Sequence, residues 1–388
     1  MNKIGILLTS PKEVGGIYQY SLSIIEALNL LDKKKIIIEY YYSDKHWEKQ
    51  LPKNSKKIYI HKSFLKKFLR KLVHLVFSNK TRYLVFKEFL NEEVKIINKS
   101  TCNLILFPSQ NITSYQINKK SLSTIHDLMH RYEYKFSEYT KKIIEHRDIH
   151  YQNICKFCDG ILVDSSMGKD HVINSYNAER KKIFTLPFIA PKYLMEKNKI
   201  NVFKKFKIKE KYLFYPAQFW EHKNHINLIK AFKDVLKQNK NFSLVFCGAK
   251  KNYYNEVYKF VKSNNLEKKI HFLGRVSDNI MSSLYSNATA TVYPSLCGPT
   301  NIPPLESVSL NIPLICSNAY SMKNQMGNSA IFFDPKNYKS ISKKINLVLN
   351  NEKLRKKLIK NGRKKIFKHN IIHFSRLLEG YINKLIIL

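Results

Sequence analysis

The sequence predicts an α/β protein made of two Rossmann-like, doubly wound halves. Short apolar runs of strand length alternate with stretches of helical periodicity. The alternation restarts after a Lys/Asn-rich stretch near 191–209 (PKYLMEKNKINVFKKFKIK), which lacks clear periodicity and reads as a linker. At 388 residues the chain is too long for one ordinary core and about right for two.

In the first half, KIGILLTS (3–10) reads as strand one, and a loop with Gly15 and Gly16 follows. Ile17, Tyr20, Ile24, Leu28 and Leu31 then recur at helical spacing. IIIEYYY (36–42), NLILF (103–107), LSTIHD (122–127) and GILVDS (160–165) read as buried parallel strands separated by helices. The second half gives strands YLFYPA (212–217), FSLVFCG (242–248), KIHFLG (269–274), TATVYPS (289–295) and IPLICS (312–317), with helices at 225–238, 253–264, 278–286 and 304–310. The tail from about 337 to 388 reads as helical. The expected domains are 1–192 and 205–370, with a last helix at 371–388 crossing back to the first. Ligands of open α/β sheets sit beyond the carboxyl ends of the strands. Two such domains facing each other across a central cleft make that cleft the expected site.

The formal net charge is +39, from 68 Lys+Arg against 29 Asp+Glu, which points to an anionic partner. Richness in Lys, Asn, Ile and Tyr is also what an AT-rich genome produces. The lysines are dispersed and no nucleic-acid reader motif is present, so nucleic acid is not expected as a partner. Six scattered cysteines give no disulfide framework, which points to a reducing compartment; Cys155 and Cys158, a lone CxxC in a helical stretch, read as core residues. No apolar run approaches the roughly 20 residues of a membrane-spanning helix, and the start is too short of apolar residues for a secretory leader.

YPSLCGPTNIPPLE (293–306) carries the most chemistry. It reads as a strand end, a turn-rich loop and a helix opened by Pro303 and Pro304, where proline is tolerated. Such a loop offers backbone amides and a positive helix end to a phosphate. Glu306 follows, placed for the vicinal hydroxyls of a ribose and equally suited to a plain helix-dipole role. Gly15 and Gly16, ahead of a helix, allow close approach of a ligand or simply a tight turn. His126 and Asp127 end a strand, and Asp127 can orient the ring or cap the next segment. His146 and His150, four apart with no carboxylate partner at metal spacing, read as a basic helix face. At 61–89, Phe64, Leu65, Phe68, Leu69, Leu72, Val73, Val76 and Phe77 form an apolar stripe flanked by Lys62, Lys66, Lys67, Arg70 and Lys71. This fits an anionic membrane surface and equally a domain helix on its sheet.

AQFWEHKNH (217–225), LVFCGAK (244–250), HFLGRVSD (271–278) and PSLCGPTNIPPLE (294–306), with GGIYQYSLSIIEAL (15–28), TIHDLMHRY (124–132) and ILVDSSMGKD (161–170), resemble the retaining glycosyltransferases of family 4, of GT-B fold. The resemblance covers nearly the whole chain in the expected order. It implies a nucleoside-diphosphate sugar bound mainly by the second domain, a glycan or lipid-linked glycan acceptor bound mainly by the first, retention of configuration, and no cofactor or metal. It also implies action at the cytoplasmic face of a membrane, in surface polysaccharide synthesis such as O-antigen or capsule.

In that comparison Lys223 matches the lysine that pairs with the donor diphosphate, and Gln218 stands where many relatives have arginine, so it brings a hydrogen bond but no charge. Thr300, Asn301 and Ile302 would hold the diphosphate with their amides. Glu306 matches the ribose-binding second glutamate of an E-x7-E pattern whose first position is here Gly298, which leaves the donor sugar open. His126 matches a histidine near the reacting sugar, and Gly15 and Gly16 fit the donor side. Alternatives are a nucleotide-sugar epimerase or hydrolase of the same fold, whose catalytic carboxylates are not located here, and a basic nucleic-acid-binding protein.

Overall fold

A computed structural model of the protein describes residues 1–61, 91–195 and 200–387. All but the first residue of the 61–89 stretch thus lies outside the described residues. The chain forms two compact units, one of Met1–Tyr132, Lys141–Pro187 and Ile371–Leu388, the other of Glu133–Thr140 and Phe188–Asn370. The sequence-based bounds did not separate 133–140 from the first half. Those residues join the second unit through side chains: Ser137 N–H donates to Glu221 (2.9 Å), Asn252 donates to Ser137 Oγ (2.9 Å) and Tyr320 donates to Glu133 (2.6 Å).

The first unit is built on β1 (Asn2–Leu8), β2 (Ile36–Tyr42), β3 (Lys56–Tyr59), β4 (Leu104–Leu106), β5 (Lys120–Thr124), β6 (Gly160–Val163) and β7 (Ile183–Thr185). All pairs are parallel, in the order β3-β2-β1-β4-β5-β6-β7. The central strands β4 and β6 are buried at every residue, as apolar runs in a sheet covered on both faces should be. Helix α1 (Gly16–Asn29) follows β1, and α2 (Lys141–Phe157) precedes β6.

The second unit repeats the plan with β8 (Lys211–Pro216), β9 (Phe242–Cys247), β10 (Ile270–Phe272), β11 (Ala290–Tyr293), β12 (Leu314–Ser317) and β13 (Ala330–Phe333), parallel in the order β10-β9-β8-β11-β12-β13. Helix α3 (His225–Val235) buries Leu228, Ile229, Phe232 and Val235 against the sheet, each such side chain contributing about 1.5–3 kcal/mol. Helices α4 (Ile302–Ser309) and α5 (Glu352–Lys368) pack together, with Gly362 against Val308. Helix α6 (Ile371–Ile387) closes the chain on the first unit: Ser375 Oγ donates to the Ala27 carbonyl (2.8 Å) and the Tyr381 ring stacks on Phe184.

Each strand order runs outward one way from its first strand and then jumps to the other side. The reversal falls between β1 and β4 in one sheet and between β8 and β11 in the other, which is where an open α/β sheet leaves a ligand crevice. The 191–209 stretch is more than a linker: Leu194, Val202 and Ile208 are buried in the second unit's core.

Two glycines test the packing in opposite directions. A Cβ on Gly248, just after β9, would lie 2.0 Å from the Ala217 carbonyl oxygen. Gly248→Ala is expected to lower stability in denaturant unfolding by about 1–3 kcal/mol. Gly380, in α6, has nothing within 4 Å of its Cβ position, so Gly380→Ala is expected to raise stability by roughly 0.5–1 kcal/mol.

Candidate active site

The loop after β8 is shaped by Asn224, which sits in the left-handed region (φ 62°) immediately before α3. Asparagine tolerates this conformation better than most residues. Its carboxamide donates to the carbonyls of Pro294 (3.0 Å) and Pro335 (2.7 Å). The Leu296 N–H donates to the His222 carbonyl (2.8 Å). The loops after β8 and β11 are thereby fastened side by side at the reversal of strand order. Lys223 Nζ donates to the Tyr293 hydroxyl (3.2 Å), which donates to Asn301 Oδ1 (2.8 Å). Sequence reading placed Lys223 and Asn301 at one site and missed Tyr293, the residue that joins them. Gln218 Oε1 accepts from the Trp220 indole (2.9 Å).

Gly298 has φ +113°, and a Cβ there would lie 3.0 Å from Asn301 Nδ2. The absence of an acid at this position therefore has a backbone cause, since any side chain is strained at this φ. Asn301 N–H donates to Gln325 Oε1 (3.0 Å), and Gln325 Nε2 donates back to the Asn301 carbonyl (2.7 Å). So the Asn301 amide expected to face a phosphate is already committed, and Pro303 and Pro304 have no N–H. The loop offers fewer amides than the sequence suggests.

Glu306 is 7% exposed. Tyr193 donates to Oε1 (2.8 Å) and Tyr285 to Oε2 (2.6 Å). Burial pushes its carboxyl up, the two tyrosines pull it back, and the net shift is upward. Glu306 stands apart from the Lys223–Tyr293–Asn301 chain in hydrogen bonding, held by its own tyrosines.

In the first unit, Gly15 takes φ 63° in the turn before α1, and Gly16 is the first helical residue. Tyr20, one turn on, meets the His126 ring edge-on at 5.1 Å, so the glycine turn and His126 share one edge of the unit. Burial drives His126 down to about 4, and its Nε2 donates to the Pro108 carbonyl (3.1 Å). The imidazole is neutral near pH 7. Asp127 caps Met129 N–H (2.9 Å) and pairs with Arg147 (3.0 Å).

One histidine expectation changes, and a second histidine proves to be a core residue. His150 is buried, bonded to the Tyr115 hydroxyl (3.1 Å) and pushed by burial to about 4, so it is not part of a basic face. His225 of the HKNH element is fully buried, stacked on Phe219 at 4.4 Å, and neither ring nitrogen has a hydrogen-bond partner among the described residues. It is an aromatic core residue. Cys155 and Cys158 are buried, and burial pushes their thiols to about 12 and about 11, as core cysteines. Sequence reading also missed Glu138, whose Oε1 bonds His222 Nδ1. They stand 84 positions apart in sequence, so nothing local signals the pair.

Burial holds His225 at about 3, below the ordinary 6.5. A depressed folded value means the stability is present above about pH 6.5 and is lost as pH falls towards the folded value. His225→Phe is expected to flatten the fall of Tm over that acid range and to add about 1–3 kcal/mol by removing unpartnered nitrogens. Gly298→Glu is expected to cost roughly 1–3 kcal/mol in denaturant unfolding, because φ +113° strains any side chain.

Residues 196–365 match the model of the family described as glycosyl transferases group 1. The O-antigen chain mannosyltransferase RfbU of Salmonella typhimurium is 32% identical over 185 residues, 48% of this chain and 49% of that protein. O-antigen chain mannosyltransferase B of Escherichia coli is 24% identical over 187 residues, 47% of this chain and 49% of that one. The chain thus spans about half the length of the curated relatives it matches. Among solved structures, sucrose-phosphate synthase from Thermosynechococcus elongatus superposes with TM-score 0.75 at 15% identity, over 99% of both chains. Anabaena HepE in complex with UDP-glucose gives 0.73 at 12%, over 99% of this chain and 100% of that one. At these identities the likeness speaks to fold alone, and the fold is GT-B: two Rossmann-like α/β units with parallel sheets of seven and six strands.

Proposed function

We propose that the protein is a retaining glycosyltransferase that moves a hexose from a nucleoside diphosphate to a hydroxyl of a glycan or lipid-linked glycan acceptor, in the synthesis of a bacterial surface polysaccharide. The observation that carries this reading is the Lys223–Tyr293–Asn301 chain at the strand-order reversal of the second sheet. A cation held there beside a helix start suits a diphosphate. The match of the same region to the glycosyl transferases group 1 model and the names of the two mannosyltransferases support it.

In this reading Lys223 pairs with the diphosphate, and the amides of Thr300 and Ile302 add hydrogen bonds. Gln218 turns its NH2 group to the ligand, because its oxygen is taken by Trp220. The second lone pair of each Glu306 oxygen accepts a ribose hydroxyl, with Tyr193 and Tyr285 holding the carboxyl in place. The bond from the sugar's anomeric carbon to phosphate breaks with its electron pair on the phosphate oxygen. Lys223 stabilises the charge that grows there. The acceptor oxygen bonds the anomeric carbon on the same face, and its proton passes to the departing phosphate. His126, a neutral imidazole, hydrogen-bonds a sugar hydroxyl, and the Gly15–Gly16 turn admits the ligand at the start of α1. The reading uses no metal. Its setting is the cytoplasmic side of a membrane, with the 61–89 stretch in peripheral contact with anionic lipid. No helix among the described residues is long and apolar enough to cross a membrane.

A thermal-shift panel of UDP-, GDP- and ADP-sugars is expected to raise the melting point with one base, since a ligand bound only by the folded state stabilises it. Lys223→Ala is expected to lower transfer from that donor by roughly 100-fold or more with the protein still folded, and Glu306→Ala to lower it strongly as well. Near-normal turnover in Lys223→Ala would overturn the site.

A further inference from the structure

The segment Glu133–Thr140 carries a buried carboxylate that the reading above leaves unused. Glu138 Oε1 bonds His222 Nδ1, with the two side chains 7% and 14% exposed. Oε2 has no hydrogen-bond partner among the described residues. Burial pushes the Glu138 carboxyl up, but His222 and nearby backbone N–H groups push it down and prevail. Glu138 is therefore ionised near neutral pH. A buried carboxylate with an unpartnered oxygen is costly unless a full opposite charge sits beside it. Among the described residues, His222 is the one ion-pair partner of Glu138.

We propose that Glu138 is a positioning residue that keeps His222 an imidazolium, so that His222 and Lys223 present two adjacent cations to the donor diphosphate. The proposal rests on the nucleotide-sugar reading. It fits what the loop lacks: Gln218 brings no charge, and the Asn301 N–H is committed to Gln325. The His222 backbone is tied to Leu296, two residues before Gly298, so the ring belongs to the same loop pair as Lys223. Other groups also lie near His222. Lys223 follows it in sequence and opposes its charge. Glu221 precedes it and accepts from Ser137 N–H. His225 is neutral and in the core, and the Phe136 ring lies 6.1 Å away. Of these, Glu138 is the buried anion in contact with the ring.

The test uses Glu138→Gln in the full chain. Isothermal titration with UDP and GDP is run from about pH 5.5 to 9, a range that spans histidine titration. Glu138→Gln is expected to match wild type at both ends, where His222 is charged or neutral in both proteins. Between them it is expected to bind roughly tenfold more weakly, the worth of one charge-assisted contact. In the ligand-free protein, NMR titration of the His222 ring is expected to show its midpoint lowered by Glu138→Gln. Glu138→Asp, which keeps the carboxylate, is expected to recover part of both effects. Superimposable binding curves, a constant deficit at every pH, or an unmoved His222 midpoint would each overturn the proposal. Absence of UDP and GDP binding by wild type would instead overturn the nucleotide reading, and the ligand-free titration would still decide whether Glu138 charges His222.

Discussion

The carboxamide of Asn224 is the constraint on which the candidate site depends. One buried side chain donates to the carbonyls of Pro294 and Pro335 while its own backbone takes the left-handed turn into α3. Those bonds fix where the chain leaves β8 relative to where it leaves β11. Lys223 precedes Asn224 directly, so its ammonium reaches Tyr293 only because that turn is held. The ordering of the ammonium, the phenol and the Asn301 carboxamide is a consequence of one amide finding two carbonyls in a place where water cannot serve instead.

Tyrosine is the other recurring element. Tyr293 relays between Lys223 and Asn301, while Tyr193 and Tyr285 grip the two oxygens of Glu306. A phenol suits this work because its ring packs in the core and its hydroxyl reaches a polar partner. The chain is rich in tyrosine, with 24 of 388 residues, which hides these three among the rest when the sequence is read alone.

What was legible follows from how local its cause is. Strands such as IIIEYYY and TATVYPS declare themselves because a doubly covered parallel strand is apolar along its whole length. The strands not foreseen, β3, β7 and β13, are the sheet-edge strands Lys56–Tyr59, Ile183–Thr185 and Ala330–Phe333, which are only partly covered and read as loop. Lys223, Asn301 and Glu306 could be picked out because they sit in motifs at strand ends. Their partners could not: Gln325 and Tyr193 arrive from remote sequence positions, as Glu138 does beside His222, and no periodicity encodes those meetings. His150 misled because a histidine's side of a helix does not say whether its ring is wet.

Neither unit is a single stretch of chain. The first is completed by Ile371–Leu388, and the second takes in Glu133–Thr140. A gene cut once between the halves would therefore give two incomplete products, one missing the helix that packs against Ala27 and Phe184, the other missing the carboxylate beside His222. Exchange of halves between related proteins by a single crossover would carry the same defect. Any recombination that preserves both units must respect four junctions at once, which ties the residues of both units into one inherited block.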